Sequence, residues 1–101
     1  MGVRRSTAGG RQSNLAIGAS VVTLTAPATG NVAEVFVRSE GGLGSISFTT
    51  DGTDPTATLG TVVSPGGIIS LNSRDELEKF RAIRVGASGE IDVEYFTDLS
   101  G

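Results

Sequence analysis

Cysteine, histidine and tryptophan are absent from this 101-residue sequence, and Lys79 is its single lysine. Without thiols and imidazoles the chain has no disulfides, no cysteine nucleophile, no histidine base and none of the common zinc and haem ligand sets. The remaining catalytic options are paired carboxylates, a serine activated by lysine, and oxygen ligands for a hard cation. Because Lys79 follows Glu78 in a stretch typical of a solvated helix face, we expect a non-enzymatic protein without metal or cofactor.

Long apolar runs and a strong basic excess are missing as well. No stretch approaches the roughly 20 apolar residues of a membrane span, and no apolar secretory-signal core follows the basic start. The net charge of −3 divides into +2 for residues 1–50 and −5 for residues 51–101. Since nonspecific nucleic-acid binding depends on Lys and Arg neutralising phosphates, we expect neither a nucleic-acid nor a membrane partner.

The length and the 27 Leu, Ile, Val and Phe residues are sufficient for one folded domain. Residues 1–14 differ from the rest because they contain three glycines, three arginines and no acidic residue. We therefore predict a flexible basic N-terminal arm at 1–14 and a single β-sandwich domain at 15–101. The arm is either a frayed terminus or a segment that docks on a partner.

Short alternating runs rich in β-branched residues, separated by turn residues, begin after Asn14. They predict an all-β fold, either an antiparallel β-sandwich or a jelly-roll-like barrel. The two final strands, 82–85 and 90–97, are expected to form a hairpin. Alternation predicts the following core-facing residues: Ala33, Val35, Val37, Ile46 and Phe48.

Asp51, Gly52 and Pro55 predict a structural turn after the strand at 45–49. Asp-Gly supplies the positive φ of a tight turn, and proline ends ladder pairing. Asp51 and Asp54 could instead offer oxygens to Ca²⁺, but the spacing lacks the regular ligands and closing glutamate of an EF-hand loop.

One short helix is predicted at about residues 73–80. Ser73 and Glu76 match a capping box, and Leu77 and Phe80 share one face. A helix of two turns is unstable alone, so this face must pack on the sheet or plug an open end of it.

The last strand places Glu90, Asp92 and Glu94 in a row on one face. The row is either a soluble face that discourages edge pairing or a surface for a basic partner, such as the arginine arm of an identical neighbour. Phe36 and Phe96 occupy polar faces, so either both sheet faces are covered, or the rings mark a subunit interface or a sugar platform. The candidate partner-binding residues are Arg4, Arg5, Arg11, Phe36, Glu90, Asp92, Glu94 and Phe96.

Three segments, ISFTTDGTDPT at 46–56, GGIISLNSRDEL at 66–77 and FRAI at 80–83, resemble the small β-sandwich virion proteins of tailed bacteriophages. The shared order is a strand, a T-D-G-T-x-P-T turn, a Gly-bearing strand and a short S-R-x-E-L-x-x-F-R-A-I segment. The resemblance covers about residues 44–97. Residues 46–56 are also similar to immunoglobulin-like modules of sugar-cleaving enzymes, but the capping-box helix departs from the continuing strands of those modules.

The resemblance implies a non-enzymatic structural role as a capsid decoration or cement protein that stabilises the major capsid shell, or as a small head-tail or tail component. It implies the major capsid protein or another virion protein as partner, and a homo-oligomer with a trimer favoured. The protein would be made in the host cytoplasm and reside in the virion. The alternative is an immunoglobulin-like carbohydrate-binding or accessory module. The resemblance assigns no binding residue.

Overall fold

The computed structural model describes the backbone of residues 5–25 and 32–98, and the side chains of residues 11–25 and 32–96. The strands pair antiparallel in two sheets, ordered β1-β7-β2-β5 and β4-β3-β6. The predicted all-β antiparallel sandwich with one short helix is confirmed, and within the described ranges the two sheets do not close into a barrel. The elements are β1 (Arg5–Ile17), β2 (Val32–Val37), β3 (Ser45–Thr49), β4 (Thr61–Val63), β5 (Ile68–Leu71), α1 (Arg74–Lys79), β6 (Arg81–Val85) and β7 (Gly89–Asp98).

The core lies between the two sheets and follows the alternation along each strand. The inward face of β2 is the predicted valine face, and Phe48 on β3 is half-buried against the core. Tyr95 is the largest fully buried side chain of this layer. Buried residues from both sheets meet in one cluster that includes Ile17, Ala33, Val35, Val37, Ile46, Leu71, Ala82, Ile91 and Val93.

Residues 5–14, where the sequence predicts a flexible arm, are part of strand β1 in the structure. The strand pairs with β7 from its first residue, with Arg5 opposite Asp98. A glycine-rich segment carries little strand signal in its side chains, yet its backbone makes the same ladder hydrogen bonds as any other. Residues 1–4, including the candidate Arg4, lie outside the described residues.

Strands β6 and β7 do not form the predicted hairpin. β6 pairs with β3, whereas β7 pairs with β1 and β2 in the other sheet. Residues 86–88 connect β6 in the three-stranded sheet to β7 in the four-stranded sheet. The Gly44 N–H donates to the Ser88 carbonyl at 3.0 Å. A Cβ at Gly44 would lie 2.5 Å from the Ala87 carbonyl oxygen, so this close approach between sheets requires glycine.

The predicted turn residues shape the connection after β3. The Thr53 N–H donates to Asp51 Oδ1 at 2.9 Å, and this bond lowers the pKa of Asp51. Gly52 has φ +86°, which a residue without Cβ adopts without strain. Its N–H donates to the Lys79 carbonyl at 3.2 Å, and Pro55 is fully buried. The turn is thereby fixed against the end of α1.

Helix α1 begins after Ser73, which is the N-cap as predicted, and Phe80 is its C-cap. The Glu76 N–H donates to Ser73 Oγ at 3.2 Å, and Glu76 Oε1 accepts the Asn72 N–H at 2.6 Å. Leu77 and Phe80 are both 0% exposed. The helix is therefore held on the sandwich by these two side chains. No helix in the described ranges is long and apolar enough to cross a bilayer.

Phe80→Ala is expected to lower the free energy of unfolding by about 3–5 kcal/mol, since it removes a fully buried ring. That ring stacks on Phe48 with centroids 5.7 Å apart. Urea denaturation followed by far-ultraviolet circular dichroism measures the loss. Phe36→Ala, at a half-buried ring on the outer sheet face, is the matched control and should cost clearly less; equal losses would contradict the packing described.

Candidate functional site

The candidate site is the outer face of the four-stranded sheet. Register places Glu94 of β7 opposite Glu34 of β2, and Asp92 opposite Phe36. Six of the eight predicted partner-binding residues have described side chains, and all six belong to this face: Arg11, Phe36, Glu90, Asp92, Glu94 and Phe96. The seventh, Arg5, is described only as the first residue of β1.

Arg38, which directly follows β2, is the central cation of this face. Its Nη1 lies 2.7 Å from Asp92 Oδ2, and its Nε lies 3.7 Å from Glu90 Oε1. Its Nη2 contacts the carboxylate of Glu40. The Arg38 side chain is only 25% exposed, so water screens its interaction with these carboxylates less than it would in bulk solvent. One guanidinium therefore contacts three carboxylates.

Strand β1 adds hydrogen bonds and one positive charge to the acidic row from the opposite side. The Asn14 N–H donates to Asp92 Oδ1 at 2.8 Å, and Asn14 Nδ2 donates to Glu90 Oε1 at 3.1 Å. Asn14 has φ +54° and lies where the β1–β7 register shifts, a conformation that asparagine tolerates. Arg11 Nη2 lies 3.9 Å from Glu94 Oε2. The acidic row thus meets an arginine of its own chain.

The pKa of Asp92 lies below its ordinary value of 3.8. The largest cause is the Asn14 N–H, which favours the ionised carboxylate; the hydrogen bond and charge of Arg38 and the charge of Arg11 act in the same direction. Partial burial opposes the shift without reversing it. Asp92 is consequently a fixed anion that connects β1, β7 and the end of β2.

A cleft of about 330 Å³ opens beside Arg38, between β2 and the connection that leads into β5. Phe36 and Ile68 lie opposite each other and form its apolar side, and Ile68 is 61% exposed. Arg38 and Asp92 form its charged side. The cleft offers apolar and ionic contacts to a bound group. No cluster of acidic side chains in the described ranges is arranged to hold a metal ion.

Phe36 and Phe96 lie on the outer face, as alternation predicts, and both are half-buried. Phe96 is opposite Val32, which is only 2% exposed although it belongs to the same outer face. The outer face therefore covers part of its own apolar surface, and Phe36 and Ile68 supply apolar area at the cleft.

Sequence reasoning missed Arg38, Glu40, Asn14 and Ile68 as members of this site. Arg38 continues the outward alternation of β2, which was a usable signal for its face. Its carboxylate partners depend on the pairing of β2 with β7, and strand pairing cannot be read from the period of either strand alone. Asn14 depends on a register shift, which carries no sequence signature here.

Asp92→Asn is expected to lower the free energy of unfolding at neutral pH by about 1–2 kcal/mol, since it removes a hydrogen-bonded charge. The folded-state pKa is lowered, so the ionised group stabilises the fold above pH 3.8 and loses this effect as pH falls through the folded-state value. The difference between wild type and variant should therefore shrink below that pH.

Asp54→Asn is the matched control because Asp54 is 76% exposed and lies 3.9 Å from Arg81. We expect it to change stability by less than about 0.5 kcal/mol. Urea titrations across the acid range measure both variants, and a wild-type advantage over Asp92→Asn that persists undiminished at low pH would contradict the assignment.

Tyr95, the single tyrosine, is 2% exposed, and its hydroxyl donates to Gln12 Oε1 on β1. Burial raises its pKa from 10.0 to about 12. The neutral phenol therefore stabilises the fold below pH 10, and this contribution is lost as pH rises towards 12. A rapid pH jump followed by tyrosinate absorbance should show this shift in the folded chain and not in urea. A folded-state midpoint near 10 would contradict the burial.

No protein-family model, no curated protein and no solved structure matches this chain.

Proposed function

We propose that this chain is a non-enzymatic structural protein of a tailed-bacteriophage virion, and that it decorates the capsid by binding the major capsid protein. It would be made in the host cytoplasm and assemble onto the shell. One observation carries the proposal: two of the sequence segments on which the resemblance to phage virion proteins rests, residues 46–56 and 80–83, pack against each other as one unit.

That unit joins the turn after β3 to the end of α1. The Gly52 N–H donates to the Lys79 carbonyl at 3.2 Å, and Arg81 Nε lies 3.9 Å from Asp54 Oδ1. Phe80, which follows the helix, stacks on the strand residue Phe48. A turn and a helix distant in sequence therefore support one another. This favours the virion proteins over the immunoglobulin-like modules, whose similarity ends at the turn.

The outer face of the four-stranded sheet is the surface proposed to contact the shell. Among its described residues, the carboxylates outnumber the two guanidinium groups of Arg11 and Arg38, so the face attracts a basic surface. Many copies on one lattice turn individually weak contacts into stable attachment. The carboxylates of this face are Glu34, Glu40, Glu90, Asp92 and Glu94.

Particles purified on a density gradient from cells that carry the coding sequence test the proposal. Quantitative mass spectrometry should find the chain at a fixed ratio to the major capsid protein. A few copies per particle would overturn decoration in favour of a head-tail or tail component. Absence from particles, together with specific retention on a glycan array, would replace the virion role with a carbohydrate-binding module.

Replacing Glu34 and Glu94 together by glutamine should weaken attachment to undecorated capsids by roughly three- to tenfold, because two attractive charges are lost. Glutamine at position 34 keeps an acceptor for Ser70 Oγ, which lies 2.8 Å from Glu34 Oε2. Glu78→Gln on α1 removes a charge away from this face and is the control. Sedimentation with capsids at two salt concentrations measures the binding, and equal attachment of all variants would remove this face from the mechanism.

A further inference from the structure

Residues 55–73 carry no charged side chain, although the chain has 8 basic and 11 acidic residues elsewhere. This stretch contains both β4 and β5. β4 is the end strand of the three-stranded sheet, and β5 is the end strand of the four-stranded sheet. Residues 64–67 connect them, so the two uncharged edges lie on the same side of the sandwich.

Large apolar side chains are exposed on these two strands. Val62 on β4 is 53% exposed, and Ile68 on β5 is 61% exposed. Leu59, in the loop before β4, is 50% exposed, and together these are the exposed large hydrophobic residues in the described part of the chain. Exposed strand edges with apolar side chains and no charge are templates for pairing with another chain.

The sheet edges on the opposite side of the sandwich are protected against the addition of another strand. Its end strands are β1, which carries Arg11, and β6, which carries Arg81 and Arg84. Val22 also makes two backbone hydrogen bonds with Ala82 of β6, of 2.9 and 3.0 Å, and so covers part of that edge. Charge and backbone cover are two of the devices that discourage strand addition. The described residues of the β4–β5 edge show neither device.

We propose that the β4–β5 edge binds a second copy of this chain, with the β5 strands of two copies paired antiparallel about a twofold axis. Two identical edges without charge meet no like-charge repulsion, whereas like-to-like contact of β1 or β6 would bring arginines together. In such a pair the Ile68 side chains of both copies lie on the same sheet face, next to the seam, and lose part of their contact with water. The symmetry is twofold, rather than the threefold that the resemblance to decoration proteins implies, because a strand paired with its own copy closes after two chains.

Size-exclusion chromatography with light scattering, over roughly a hundredfold range of concentration, tests this without capsids. Wild type should show twice its 10.3 kDa mass at the upper end and move towards that mass on dilution. Ile68→Lys should weaken dimerisation at least about tenfold, because it places like charges beside one another at the β5–β5 seam. Leu59→Lys, with similar exposure but outside the strands, should dimerise like wild type.

Hydrogen exchange gives a second measurement that requires no variant. Amides of residues 68–71 should become protected at high concentration, while those of β6 stay unchanged. A monomer at every concentration, a trimer, or a dimer unaffected by Ile68→Lys would overturn the proposal. The association does not depend on the virion role, so each of these results leaves the particle experiment to be decided separately.

Discussion

The arrangement of the four-stranded sheet depends on neutralising the outer face of β7. This strand lies between β1 and β2 and places three carboxylates in a row on one side. Like charges at that spacing oppose the strand's central position unless cations and N–H donors lie beside them. Arg38, directly after β2, supplies the guanidinium, and Asn14 supplies two donors from β1. The same contacts that neutralise β7 therefore attach both of its neighbours.

The rest of the molecule shows how a small sandwich without disulfides fixes its connections. The short helix contributes Leu77 and Phe80 to the core, and the turn at 51–55 binds the end of that helix. Gly44 allows the chain to cross between sheets at close approach. Each of these contacts restrains a segment that has few apolar residues of its own. They provide the restraint that a disulfide would supply in a small secreted domain.

The face of each residue could be predicted from the sequence, whereas the neighbour of each strand could not. Alternation assigned the valines of β2 to the core and Phe36 and Phe96 to the outer face, because side-chain direction is a local property of an extended chain. Helix capping by Ser73 was equally local.

The predicted hairpin of β6 and β7 was wrong because strand pairing is set by contacts distant in sequence. The glycine-rich residues 5–14 were assigned to an arm because their pairing involves backbone groups that every residue shares. Arg38 was missed because the carboxylates that it contacts belong to another strand, and the pairing with that strand is set by contacts distant in sequence.

The pairing of β1 with β7 also determines when the fold can be completed. β1 lies near the beginning of the sequence and β7 near its end, and Arg5 is opposite Asp98. During synthesis β1 therefore has no partner strand until β7 has left the ribosome. Contacts between such distant segments require a large loop to close, which makes folding slower than for proteins built from local contacts. Residues 5–17 are thus synthesised well before the strand that completes their pairing.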